Sequence, residues 1–229
     1  MNNKKIIVAL DSNKFSKIKN LVYKIKNHIF AVKIGYEFFF NFGIKGYTEI
    51  KKIYPNIFLD LKLHDIPNTV ENGIKAIEKL QPLLTTIHMS GGDEMQKKSV
   101  MNKKRKTKIL GVSILTSLDS KQTKKYYNEI SVEKLVGKFV KYAIKNKLDG
   151  VVCSPYEIKY VRKIAGNKFI IVVPGIRPID YINKNDDQKR FVTPQEAIKF
   201  GANYLVIGRP ITKSLDPLQT IKQINKTFN

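Results

Sequence analysis

Residues 57–69 read Ile57-Phe58-Leu59-Asp60-Leu61-Lys62-Leu63-His64-Asp65-Ile66-Pro67-Asn68-Thr69. The β-rich apolar start predicts a strand, and alternate residues of a strand share a face. Asp60, Lys62 and His64 then point one way, and Leu59, Leu61 and Leu63 the other. Pro67 suits the first turn of a helix, so Asp65 falls at the strand-to-helix turn. One reading is an edge strand with a solvated charged face and Asp65 as a helix cap. The other turns the charges into a site. Charges on so apolar a strand are costly to bury unless they are paired. Side chains of this kind are rarely buried without such use, so the second reading is preferred.

Outward from this stretch, short apolar runs alternate with longer amphipathic ones. The runs cover 6–10, 30–34, 57–63, 83–88, 109–115, 150–153, 169–173 and 204–207. Helical spacing links Ile18, Leu21, Val22 and Ile25, then Ile74, Ile77 and Leu80, then Leu135, Val136, Phe139, Val140 and Ala143. Leu218, Ile221 and Ile224 repeat it near the C-terminus, and Thr193-Pro194 and Asp216-Pro217 read as helix starts. Eight strand–helix alternations predict an eight-stranded parallel (β/α)8 TIM barrel, one domain over residues 1–229. A doubly wound open sheet is the alternative, but no Gly-x-Gly-x-x-Gly turn follows the first run.

The size allows a sizeable core, and no linker or short repeat divides the chain. No apolar run approaches the ~20 residues of a membrane helix, so no membrane partner is expected. The basic start, Met1 to Lys5, precedes an apolar stretch too short for a signal peptide. A single cysteine, Cys153, leaves no internal disulfide and fits a reducing, cytoplasmic setting as a small buried hydrophobe. The net charge of +23 suggests nucleic acid, but the excess is lysine spread along predicted helices, with five arginines. Base readers lean on arginine forks, so no specific nucleic-acid partner is expected. Only a salt-sensitive attraction to polyanions follows.

In a barrel of this kind the chemistry sits at the carboxyl ends of the strands. Polar residues stand there: Asp11, Lys33, Asp60 with Lys62, His88, Thr116-Ser117, Pro174-Gly175-Ile176-Arg177 and Gly208-Arg209. Lys33, Asp60, Lys62 and Asp65 would bring two cations and two anions into one mouth, each beside opposite charges that lower its burial cost. Such an array surrounds a reacting atom with fixed charge and sets a proton donor beside a developing carbanion. Barrels often hold phosphate on the loops after strands seven and eight. There Gly175 and Gly208 permit close backbone approach, and Arg177 and Arg209 offer guanidinium forks. The polar stretch 180–190 is long enough to close over a ligand.

These residues carry a resemblance. The chain resembles the orotidine 5′-phosphate decarboxylases of the bacterial type, from Val8-Ala9-Leu10-Asp11 to Val206-Ile207-Gly208-Arg209-Pro210-Ile211-Thr212. Asp60 to Thr69 is similar to the family's signature. Leu115-Thr116-Ser117, Asp149 to Ser154, Pro174 to Arg177 and Asp186 to Arg190 are similar to further family blocks. The resemblance implies decarboxylation of orotidine 5′-monophosphate to uridine 5′-monophosphate in pyrimidine synthesis, without metal or cofactor. It implies that Lys33, Asp60, Lys62 and Asp65 form the catalytic array, with Lys62 protonating a C6 carbanion and Asp60 crowding the departing carboxylate. It implies a homodimer in which Asp65 and Thr69 come from the second subunit. Asp11 and Lys33 would hold the ribose, and Thr116 the pyrimidine edge. Arg177, Gln188, Gly208 and Arg209 would hold phosphate, and Ile66 and Pro174 would line the substrate site. The chain departs from many relatives at Gln81-Pro82, where they carry a Gly-Ala pair, and by a longer segment between Arg177 and Gln188.

Rival readings make distinct demands. A magnesium-dependent sugar-phosphate barrel needs a second carboxylate near Asp60, where this chain has Lys33, with Glu37 beyond the strand. A metal hydrolase is opposed by the spacing of His28, His64 and His88. A Schiff-base aldolase needs a neutral lysine, which adjacent carboxylates oppose. A polyanion binder without turnover leaves Asp60 and Asp65 as liabilities.

Overall fold

The computed structural model describes residues 4–102, 106–178 and 192–228. Eight parallel strands close into a barrel in chain order, with β1 pairing both β2 and β8. They are β1 (Ile6–Ala9), β2 (Ala31–Ile34), β3 (Ile57–Leu63), β4 (Leu84–His88), β5 (Lys108–Val112), β6 (Gly150–Val152), β7 (Ile170–Val173) and β8 (Tyr204–Ile207). The helices are α1 (Phe15–Ile25), α2 (Tyr36–Ile53), α3 (Pro67–Leu80), α4 (Gly92–Ser99), α5 (Ser120–Tyr127), α6 (Val132–Lys145), α7 (Ile158–Ala165), α8 (Pro194–Lys199), α9 (Arg209–Thr212) and α10 (Pro217–Lys226). The expected eight-stranded barrel is therefore the observed fold.

The period-2 geometry of the strands divides the core into two layers. Ile7, Ala31, Phe58, Leu84, Leu110 and Val172 meet inside the barrel. Their neighbours, such as Val8, Val32 and Leu59, face outward and pack on the apolar stripes of the helices, for example Ile18 and Val22 of α1. Buried on both faces, the strands read as nearly unbroken apolar runs, as parallel strands do. The inner layer fills the lower barrel. Moving two residues on toward the carboxyl ends, the same inward face carries Lys33 after Ala31, Asp60 after Phe58 and Thr86 after Leu84.

Three local differences from the sequence reading have physical causes. First, β5 ends at Val112, not at residue 115. Its ladder partners stop at His88 and Val152, so Leu115 and Thr116 have no strand to pair with. Thr116 thus reaches the mouth from a loop. Second, the long helix α2 was not legible, because its run of aromatics and two glycines blurs the periodicity. It bends at Gly43, whose φ of 55° favours glycine. Third, the ladder between β3 and β4 shifts register between Leu59 and Leu63. Lys62 sits in that bulge with φ 43°.

The Gln81-Pro82 departure also finds its place. Gln81 caps the C-terminus of α3 in the left-handed conformation, φ 51° and ψ 55°. Glycine is favoured at this position because a Cβ crowds the backbone there. The Lys51 ammonium and the Tyr47 hydroxyl donate to the half-buried Leu80 carbonyl, which holds the helix end. Gln81→Gly is expected to stabilise the protein by about 0.5–1 kcal/mol. In a thermal melt this is a rise of about 1–4 °C; an unchanged or lower midpoint would show that Gln81 carries no strain.

Candidate active site

Asp60 lies on the inward face of β3 and is 7% exposed. Lys62, two residues on, turns its ammonium back to Asp60 Oδ2 at 2.8 Å. Lys33, from the neighbouring strand β2, places its ammonium 3.6 Å from the same oxygen. It also stands 3.6 Å from Asp11 Oδ1 after β1. At such separations two unit charges attract by about 4 kcal/mol at an effective dielectric of 20. One buried carboxylate thus answers two ammonium groups, which makes its burial tolerable.

The backbone is shaped to this cluster. A Cβ at Gly35 would lie 2.9 Å from Lys33 Nζ, so a bare backbone there leaves room for the ammonium. The bulge at Lys62 turns its N–H toward β4, where it donates to Thr86 Oγ1 at 2.9 Å. Thr86 in turn donates its hydroxyl to Asp60 Oδ1 at 2.9 Å. The sequence reading passed over Thr86. Its signal was a hydroxyl at an inward-facing position of an apolar parallel strand.

Lys33, Asp60, Lys62, Thr116 and Pro174 line one cavity of about 260 Å³, with apolar wall from Phe58, Val112, Val152 and Val206. The cavity thus has one charged end and an apolar wall, the lining usual for a small-molecule site. Other predicted site residues follow β7 and β8 at the same end of the barrel. Gly175 has φ 77°, a left-handed backbone that favours glycine. Arg177 is half-buried and donates to its neighbour's carbonyl, Ile176 O, at 3.2 Å. Gly208 precedes α9 and Arg209 begins it, with an exposed side chain. A Cβ at Gly208 would make only ordinary contact with Ala9 Cβ, so packing alone does not demand glycine there. Gln188 and the stretch 180–190 lie outside the described residues.

Asp65, Ile66 and Thr69 are not brought to the cavity within one chain. All three are exposed, and Asp65 Oδ1 accepts from the Ile66 N–H. Among the described residues no ion pair joins Asp65 to Lys33 or Lys62. His88, the last residue of β4, lies with its ring 5.2 Å from that of His64. Burial, with the nearby His64 and Lys62 charges, pushes the His88 imidazole below its usual range, against the pull of Asp60.

A model of the "Orotidine 5'-phosphate decarboxylase / HUMPS family" matches residues 4–224. This chain belongs to that family. It is 42% identical over 223 residues to a protein of Erythrobacter litoralis named orotidine 5′-phosphate decarboxylase, covering 97% of this chain and 98% of the relative. A namesake from Trichlorobacter lovleyi is 40% identical over 226 residues, 96% of this chain and 93% of the relative. The crystal structure of orotidine 5′-phosphate decarboxylase from Lactobacillus acidophilus superposes with a TM-score of 0.82 at 35% identity, covering 99% of both chains. No described helix is long and apolar enough to cross a membrane.

Beside the cavity, sharing Leu115 and Thr116, a wider groove reaches Glu157. Glu157 closes the 3-10 turn Pro155–Glu157 and accepts from the Ser154 N–H at 2.9 Å. Burial pushes its carboxyl up to about 7, opposed by that N–H and helped by the charge of Glu133. Above its unfolded value the folded chain still holds this proton. The stability it contributes is complete below the unfolded pKa of about 4.5 and is lost as pH rises through 7. Glu157→Gln has no proton to lose. Relative to the parent it should be more stable at pH 8 than at pH 4.5 by roughly 3 kcal/mol. Denaturant unfolding at the two pH values measures this difference. An equal offset at both would show that Glu157 titrates normally.

Proposed function

We propose that this chain converts orotidine 5′-monophosphate to uridine 5′-monophosphate and CO2 in de novo pyrimidine synthesis. Its family and relatives named orotidine 5′-phosphate decarboxylase at about 40% identity support that reading. The observation that carries it is Asp60 held between the Lys33 and Lys62 ammonium groups at the head of an apolar-walled cavity.

The substrate carboxylate would lie against Asp60, where like charges destabilise the bound acid. The bond from C6 to the carboxyl carbon breaks and its electron pair stays on C6, while CO2 departs. Fixed positive charge from Lys62 stabilises that pair, and Lys62 delivers a proton to C6. Asp11 and Lys33 take the ribose hydroxyls and Thr116 the pyrimidine edge. Arg177, Gln188, Gly208 and Arg209 take the phosphate, and Ile66 and Pro174 line the site. The scheme needs neither metal nor organic cofactor. A magnesium-dependent reaction on a sugar phosphate is disfavoured by Lys33, whose ammonium stands beside Asp60 where a cation would need a second carboxylate. Asp11 is already paired with the Lys33 ammonium, and Glu37 is exposed in the first turn of α2.

The fourth charge comes in this reading from Asp65 of the partner subunit, with Thr69 of the partner subunit on the ribose. A homodimer is supported by apolar side chains exposed close to the mouth. Phe40 is 79% exposed and Ile66 67%. Tyr36 stacks on Phe40 and lies under the Lys62 ammonium at 5.9 Å. Exposed apolar patches of this kind mark association surfaces. The buried lone cysteine suits a cytoplasmic site of action.

Lys62→Ala should lower kcat for orotidine 5′-monophosphate by at least about a thousandfold while the melting profile persists. A folded variant with near-parental turnover would remove Lys62 from the proton-donor role. Mixing inactive Asp65→Asn and Lys62→Ala chains should restore activity, since one site of each heterodimer is then whole. No recovery after verified subunit exchange would mean that each site is built from one chain.

A further inference from the structure

Thr86 is the one hydroxyl that touches both Asp60 and Lys62 among the described residues. Its side chain is fully buried inside the barrel, where a hydroxyl must find partners or cost free energy. It finds two, and they are of opposite kinds. Thr86 Oγ1 accepts from the Lys62 backbone N–H at 2.9 Å. It donates to Asp60 Oδ1 at 2.9 Å. Asp60 Oδ2 is thereby left for the two ammonium groups.

The Lys62 backbone makes this contact informative. A lysine with φ 43° is strained, because its Cβ crowds the following carbonyl. Strained residues persist only where their surroundings fix them. The register shift between Leu59 and Leu63 takes the Lys62 N–H out of the regular ladder with β4. The Thr86 side chain, which stands on β4, answers it in place of a backbone carbonyl. The hydroxyl therefore ties the bulge that aims Lys62 to the carboxylate that Lys62 faces.

We infer that Thr86 is a positioning residue for the reaction. Its hydroxyl holds the Asp60 carboxylate in plane and the Lys62 bulge in place, so that the Lys62 ammonium meets the reacting carbon. It touches neither substrate nor reacting atoms, and acts only through these two residues. The inference rests on the decarboxylation proposed above. Small misplacements of a proton donor cost rate steeply and need not weaken ligand binding.

Three substitutions grade the hydroxyl, Val at the volume of Thr and Ser and Cys each without its buried methyl. Thr86→Ser keeps it, Thr86→Cys replaces it with a weak donor, and Thr86→Val removes it. The expected kcat for orotidine 5′-monophosphate is near-parental for Ser, intermediate for Cys, and about tenfold to a hundredfold lower for Val. KM should move by less than about threefold throughout, since ribose and phosphate contacts are untouched. A loss of fold would also lower apparent kcat at unchanged KM, so kcat is referred to the folded fraction of each variant, measured by circular dichroism. If Thr86→Val does not fold, the contrast between Ser and Cys decides. Equal kcat for the folded variants overturns the inference, as does a Ser variant as slow as the others.

A crystal structure of the Cys or Val variant separates this idea from the reading it rests on. The Asp60–Lys62 contact, 2.8 Å in the parent, should open beyond hydrogen-bonding distance. An unchanged contact overturns the role of Thr86, whatever the activity. A parent that does not decarboxylate the nucleotide would instead overturn the proposed function, while the opened contact would still stand for Thr86.

Discussion

One carboxylate organises the upper barrel. Asp60 is nearly shut off from water, and a lone charge there would be untenable. It is kept by the Lys33 and Lys62 ammonium groups on one oxygen and the Thr86 hydroxyl on the other. Each of those partners comes from a different place in the ladder: β2, the bulge of β3, and β4. The closed barrel is what brings three such positions to one point. Remove the carboxylate and two ammonium groups face each other across an apolar wall. The chemistry proposed for the site uses this same balance, because a substrate anion entering it upsets a cluster that is already satisfied.

Much of this was readable in the sequence. Eight apolar runs separated by amphipathic stretches pointed to the barrel, because strands buried on both faces leave a clear apolar record. The alternation of Asp60 and Lys62 with three leucines placed both charges inside, and the structure keeps that parity despite the bulge. The bulge itself was hidden. A left-handed lysine leaves no mark in composition, since glycine, the residue that usually signals such backbone, is absent there. Thr86 was hidden for a related reason, as a threonine is also an ordinary strand former. The α2 helix was lost in a run of phenylalanines bent at Gly43. Where β5 would stop could not be seen locally, since its end is set by the ends of β4 and β6.

The excess of lysine has a consequence beyond composition. With a formal charge of +23, the surface field favours the approach of any anionic nucleotide. That attraction is long-ranged and fades with added salt, so it governs encounter and not selection. In the proposed reading selection belongs to the mouth, where positive charge is paired with Asp11 and Asp60 and arranged by backbone geometry at Gly35 and Lys62. The same residue type thus serves two ends. Dispersed lysines set the field, and the two half-buried lysines at the mouth would set the proposed chemistry.

The most direct measurement is the loss of orotidine 5′-monophosphate absorbance with purified, chelator-stripped protein. The account predicts full turnover to uridine 5′-monophosphate with one CO2 released per substrate consumed, unaltered by added magnesium. No turnover by folded protein, or turnover that appears only when magnesium is restored, would contradict it.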